Sequence, residues 1–200
     1  MAISTDMIRE LRGRTGAGIL DVKNALDETG GDTEAAIRLL RERGLAKAAK
    51  KAEREASQGR VLSYIHGDPG RIGVLLELNC ETDFVARTDA FRDLAHGLAL
   101  HIAAANPLFV SEEQVPEADA QKEREIYAAQ MADQKKPPEI MAKILDGKIS
   151  KWMDETVLLR QAYVRDNDVS VGDMIKRSIA ELGENIVVRR FVRFALGDKE

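Results

Sequence analysis

The side chains in this 200-residue chain best suited to covalent chemistry are few: one cysteine, Cys80, and three histidines, of which His96 and His101 lie on one helix-prone segment. A spacing of five places those two on different faces of a helix, so they do not form a shared metal site. Each reads as a surface or packing histidine. Cys80 has no C-x-x-C partner and closes an apolar run. It is read as a buried, inert thiol rather than a nucleophile, since reactivity needs an electropositive setting. No GxxxxGK[ST] phosphate loop and no GxGxxG after a strand occurs. The sequence therefore carries no constellation for hydrolysis or group transfer.

What it does carry is a recognition corner, Glu77-Leu78-Asn79-Cys80-Glu81-Thr82-Asp83-Phe84-Val85-Ala86-Arg87. The preceding run, Ile72-Gly73-Val74-Leu75-Leu76, reads as a buried strand. It stops at Thr82 and Asp83, both N-cap residue types able to open a helical turn. Phe84 follows directly. An acid beside a large aromatic, at the end of a strand, suits presentation to a partner more than it suits a strand interior. The residues also permit a plainer reading, in which Asp83 caps a helix and Phe84 fills the core.

The elements that position this corner follow from the pattern. Ser4 or Thr5 caps a first helix with Met7, Ile8 and Leu11 on one face. Thr15-Gly16-Ala17-Gly18 is a turn. A second helix carries Ile19, Val22, Ala25 and Leu26, and Gly30-Gly31 ends it. Asp32 caps a third helix with Ala36, Ile37, Leu39 and Leu40 inside and Gly44 as its stop. Residues 1–45 thus read as a three-helix domain. Residues 46–58, with Lys47, Lys50, Lys51, Glu53, Arg54 and Glu55 among alanines, read as a charged helical linker with a solvated face. From residue 59 to 200 the pattern is an α+β core. Arg60–His66 and Arg71–Cys80 form a hairpin about Gly67-Asp68-Pro69-Gly70. Thr88 caps a long helix bearing Phe91, Leu94, Ala95, Leu98 and Ile102. Pro107–Val110 is a strand or a turn. Helical blocks at Glu117–Met131 and Glu139–Val164 form a hairpin spanning roughly 117–160 about Pro137-Pro138. Val171–Leu182 is a helix ended by Gly183. Asn185–Ala195 is the closing strand, with Ile186, Val188, Val192 and Phe194 on one face, Arg190 being the exception there, and Arg189 and Arg193 on the other. The fold class is α+β: a small antiparallel sheet covered by helices.

Composition narrows the function classes. The net charge is −4, with 30 basic and 34 acidic residues, which disfavours a general nucleic-acid binder. A single cysteine excludes a disulfide within the chain and fits a reducing cytoplasm. Neither a secretory signal nor a membrane-length apolar run is expected. No cofactor or metal is expected either.

The segment Glu77 to Arg87 resembles the signature of translation elongation factor Ts. Leu11-Arg12-Gly13-Arg14-Thr15-Gly16-Ala17-Gly18-Ile19-Leu20-Asp21-Val22-Lys23-Asn24-Ala25-Leu26 resembles that family's N-terminal motif. The two lie in the family's order with a charged linker between them, and the resemblance covers essentially the whole chain. It implies a ubiquitin-associated-like N-terminal domain and a guanine-nucleotide exchange factor that makes and breaks no covalent bond. The implied partner is the GTPase elongation factor Tu. By resemblance Thr82, Asp83, Phe84 and Val85 form the wedge that disturbs the partner's Mg²⁺ and phosphate site, and Arg12, Ile19 and Leu20 form a second contact. The family often has methionines where this chain has Ile19 and Leu20, which keep the apolar character with less flexibility. Being adjacent, these two cannot both face inward. Longer members have two related core subdomains, so the short core implies a homodimer. Two other readings stand beside this one: an RNA or ribosome binder using Lys47–Arg54 and the terminal arginines, and an adaptor that binds a peptide through the three-helix unit.

Overall fold

The computed structural model describes residues 3–132 and 137–198. Three helices come first: α1 (Thr5–Thr15), α2 (Ile19–Glu28) and α3 (Thr33–Ala49). Their ends follow capping chemistry. Ser4 Oγ accepts from Met7 N–H at 3.2 Å, and Asp32 accepts from Ala35 N–H at 2.9 Å. Gly16 closes α1 in the left-handed region, φ 66°, and its N–H donates to the Arg12 carbonyl. That conformation is easy for glycine and costly for residues with a Cβ. Leu11, Val22, Ala25, Leu26, Ala36 and Leu40 are buried together, with Met7, Ile8, Ile37 and Leu39 packed on them. Each fully buried leucine contributes on the order of 2 kcal/mol.

Two details differ from the sequence expectation. Helix α3 does not stop at Gly44 but continues to Ala49. The residues after the glycine, Leu45-Ala46-Lys47-Ala48-Ala49, are good helix formers, and Ala48 is buried. Gly44 instead lies against the helix Val171–Leu182, with its pro-Cβ position 3.5 Å from Ala180 Cβ. Ile19, aligned by spacing with the inner face of α2, is 58% exposed. It stands at the first position of the helix, a full turn ahead of the buried Val22.

The sheet has order β1-β2-β5, from β1 (Gln58–His66), β2 (Ile72–Cys80) and β5 (Ile186–Ala195). Between β2 and β5 the chain forms α4 (Asp83–Ala86), α5 (Asp89–Ala105), α6 (Glu117–Gln130), α7 (Pro138–Thr156), a two-stranded ribbon of β3 (Ala162–Tyr163) and β4 (Asp166–Ser170), and α8 (Val171–Leu182). The architecture is α+β. The link between α6 and α7 lies partly outside the described residues. Strand β2 alternates: Val74, Leu76, Leu78 and Cys80 are buried, while Leu75 is exposed. The strand is therefore covered on one face only.

Along β5 the covered face changes. Ile186 and Val188 are buried, Arg189 and Arg190 are both exposed, and beyond them Val192 and Phe194 point outward. Arg193, placed outward by strict period two, turns inward. Its Nε donates to the Ala103 carbonyl at 3.2 Å and its Nη1 meets Asp198 at 3.2 Å.

The helical block expected to reach Val164 breaks at Val157. There the backbone crosses to Phe109, with Leu158 N–H donating to the Phe109 carbonyl at 2.9 Å. The antiparallel β3–β4 ribbon follows, with Ala162 opposite Ser170 and Tyr163 opposite Asp166. Its polar Asp166-Asn167-Asp168 gives no apolar alternation to read. The chain divides into two compact units. One gathers α1–α3, Glu77–His96 and Asp173–Val188; the other contains Leu62–Leu76 and Gly97–Gly172.

Candidate functional site

In the first unit, β2 ends at Cys80 and the chain turns into the single-turn helix α4. Thr82 is its N-cap: extended backbone, with Oγ1 accepting from Val85 N–H at 3.4 Å. The cap is thus Thr82 and not Asp83. Asp83 instead forms an i,i+4 ion pair with Arg87 at 2.8 Å, its carboxylate about half exposed. Exposed pairs of this kind contribute roughly 0–1 kcal/mol, so Asp83 is readily exchanged to another partner. Phe84 is 80% exposed and fills no core. Val85 is half-buried, and Ala86 behind it is buried.

The corner is tied down from the turn between α8 and β5. Glu184 grips Thr82 with both oxygens: Oε1 accepts from Thr82 Oγ1 at 2.6 Å and Oε2 from Thr82 N–H at 3.0 Å. In return Glu81 Oε1 accepts from Asn185 N–H at 2.7 Å. Each chain end thus lends a carboxylate to the other's backbone. Hydrogen bonds to ionised acceptors are about twice as strong as neutral ones. The buried Asn185 side chain also donates to the carbonyls of Arg54, at 2.8 Å, and Ala52, at 3.3 Å. Sequence reasoning missed Glu81, Glu184 and Asn185, since a separation of more than one hundred residues leaves no local trace. A polar Glu-Asn pair directly before a buried strand was the one available signal.

The second expected group lies on α1 and α2 of the same unit. Arg12 is exposed, and Ile19 and Leu20 are 58% and 70% exposed. Neither apolar residue completes the three-helix core. Both stand just after the Gly16–Gly18 turn, where α2 opens without a side-chain cap. A cleft of about 380 Å³ lies beside this turn, lined by α3 and α8 residues including Arg41, Lys47 and Glu181. Its cations are engaged: Arg14 with Glu34 at 2.9 Å, Arg41 with Asp173 at 3.9 Å and Lys47 with Asp21 at 2.8 Å. Further along, Lys51 donates to the Gly183 carbonyl and Arg54 lies 3.6 Å from Glu81. The basic run Lys47–Arg54 thus spends several of its charges inside the unit, which weakens the RNA-binding reading.

Of the residues suited to covalent chemistry, Cys80 and His101 are buried in structural bonds. Cys80 is fully buried and its Sγ donates to the Thr82 carbonyl at 3.1 Å. Burial, reinforced by the Glu184 carboxylate, pushes the thiol's pKa above its usual value, so it remains protonated. No group of histidine, cysteine and carboxylate side chains able to hold a metal occurs among the described residues. No helix among them is long and apolar enough to cross a membrane.

In the second unit His101 is buried. Its Nε2 is 2.9 Å from Gln161 Oε1, and its Nδ1 accepts from Val164 N–H at 3.1 Å. These partners call for a neutral ring with the proton on Nε2. Burial lowers its pKa from 6.5, opposed by the Gln161 contact. As pH falls below that value the unfolded chain takes up the proton first, so stability is lost toward acid. Urea denaturation should give a smaller free energy of unfolding at about pH 5.5 than at about pH 7.5, with a smaller difference for His101→Gln.

The geometry now stands beside known proteins. A family model described as Elongation factor TS matches residues 32–198. Elongation factor Ts of Herpetosiphon aurantiacus is 54% identical over 198 residues, covering 98% of this chain and 99% of the relative. That of Fervidobacterium nodosum is 52% identical, covering 99% and 100%, and that of Coprothermobacter proteolyticus is 53% identical with the same coverage. A family match over residues 32–198, with relatives 52–54% identical over nearly the whole of both chains, makes this protein a member of the elongation factor Ts family.

Proposed function

We propose that this protein is the guanine-nucleotide exchange factor of elongation factor Tu, and that the wedge formed by Thr82, Asp83, Phe84 and Val85 disturbs the Mg²⁺ and phosphate site of that GTPase. The observation that carries this reading is a large aromatic held 80% exposed on a corner fixed by carboxylate hydrogen bonds. An exposed phenyl ring is unfavourable in water, and seating it in a partner recovers that free energy. The ring has only two side-chain torsions to freeze, so little is lost on docking. Asp83, paired with exposed Arg87, is able to redirect a hydrogen bond in the partner. Arg12, Ile19 and Leu20 supply the second contact.

The thermodynamics need no covalent step. A GTPase holds GDP through its phosphates and Mg²⁺. A factor that binds the empty GTPase more tightly than the loaded one must, by linkage, weaken nucleotide binding by the same ratio. GDP leaves, GTP enters and displaces the factor. Stopped-flow release of a fluorescent GDP from elongation factor Tu tests this. Release should accelerate with factor concentration and saturate; a rate independent of the factor rejects the proposal.

The cytoplasm is the expected setting, as translation proceeds there. We also propose that the factor works as a homodimer, as its short core implies. Ile65, Leu75, Val192 and Phe194, exposed on the three sheet strands, give it an apolar surface to cover. Light scattering at micromolar concentration should report a mass of two chains; the mass of one chain refutes the dimer.

A further inference from the structure

Among the side chains around the corner, one pair has no explanation in the docking surface itself. Glu184 spends both oxygens on Thr82, and Glu81 Oε1 accepts from Asn185 N–H with Arg54 3.6 Å away. Glu184 closes two donors of Thr82, the residue that caps α4 and immediately precedes Asp83-Phe84. A helix of four residues cannot hold its own orientation, because nucleating one turn is unfavourable without outside contacts. The direction of Phe84 therefore depends on what fixes Thr82. The covalent chain through Cys80 fixes one side. Glu184 fixes the backbone N–H and the hydroxyl.

We infer that Glu184 is a positioning residue for exchange: its carboxylate clamps Thr82 and so aims Phe84 at the partner. This inference rests on the exchange-factor reading. The Glu81 bond to Asn185 N–H makes the clamp reciprocal. Asn185, through its contacts with the carbonyls of Ala52 and Arg54, anchors the clamp to the segment that follows α3. Without Glu184 the corner retains its strand and its buried Ala86, so the protein still folds. Its aromatic, however, samples several directions, and only part of the population is competent to dock. A reduced competent fraction lowers the apparent affinity by that fraction.

The test is a double-mutant cycle on stopped-flow GDP release, using the full-length chain and variants Glu184→Ala, Phe84→Ala and both together. Glu184→Ala alone should raise the factor concentration needed for half-maximal acceleration roughly tenfold. Placed on the Phe84→Ala background, it should change that concentration less than about twofold, because nothing is left to aim. A purely structural role predicts instead that the two losses multiply. Glu184→Gln, which keeps one acceptor oxygen, should fall between wild type and Glu184→Ala. Circular dichroism melting accompanies each variant, and the wild-type-like fold of Glu184→Ala is part of the expectation. Unchanged half-maximal concentration in Glu184→Ala, multiplicative losses in the double variant, or a collapsed fold each overturn the inference. Failure of the wild-type chain to accelerate release at all would instead strike the exchange-factor reading, which keeps the two distinguishable.

Discussion

Phe84→Ala should leave the melting transition where it is and remove most of the acceleration of GDP release. The ring is 80% exposed, so its deletion opens no cavity, and a surface substitution of this kind changes stability by no more than about 0.5 kcal/mol. Against a partner the balance is different. A buried aromatic anchor at the centre of an interface typically accounts for 2 kcal/mol or more, which is a loss of about thirtyfold in affinity. The two measurements thus separate cleanly: thermal denaturation for the fold, fluorescent GDP release for the function. A variant that exchanges nucleotide like the wild type would take Phe84 out of the mechanism. One that loses exchange and melts early would show that the ring supports the fold in solution. Phe84→Leu sharpens the comparison, since it keeps apolar bulk and loses the flat ring; an intermediate rate is expected.

The largest effect on stability belongs to Gly59. Its φ is +144°, and a Cβ built there would sit 2.2 Å from the Leu78 carbonyl oxygen and 2.7 Å from Asn79 Cα. Both neighbours are backbone of β2, one step before the corner, and neither is able to swing aside like a side-chain tip. Gly59→Ala must therefore part the strands or bend β1, at a cost of about 3 kcal/mol or more. Gly73 on the same hairpin makes the control. There the nearest atom is the end of the Ile65 side chain at 3.2 Å, with no strained φ, so Gly73→Ala should cost a fraction of that. Urea denaturation of the two variants reads the difference directly. Equal midpoints for Gly59→Ala and the wild type would refute the close approach of β1 to β2. Since the displaced residues lead straight into Thr82, exchange by Gly59→Ala should also decline.

Much of the fold was legible because its signals are local. Ser4 and Asp32 cap where their side chains reach an N–H three residues on, and the core faces of α1, α3 and α5 follow helical spacing. These depend on chemistry within a few residues. Where the reading went astray, a distant contact outweighed the local pattern. Gly44 looked like a helix stop, yet the alanines after it and the neighbouring α8 carry the helix on. Arg193 looked exposed by period two, but the face of β5 that carries it becomes covered beyond Arg190, and its Nε reaches the Ala103 carbonyl. The β3–β4 ribbon was invisible because its residues are polar and its strands are short.

The candidate site divides in the same way. Thr82, Asp83 and Phe84 were recognisable from their order along the chain, because a capping residue, an acid and an aromatic after an apolar strand form a continuous segment. Amino-acid order alone also led to the expectation of no nucleophile or metal cluster, since Cys80 has no C-x-x-C partner and His96 and His101 fall on different faces of a helix. It could not settle whether Phe84 faces core or solvent, because in a one-turn helix a rotation decides that and no periodicity is long enough to report it. Nor could it reveal Glu184 and Asn185 as the holders of the corner. Those residues stand more than one hundred positions from Thr82 and Glu81, with α5 to α8 between them in the chain, and a hydrogen bond across that separation is a property of the packed chain.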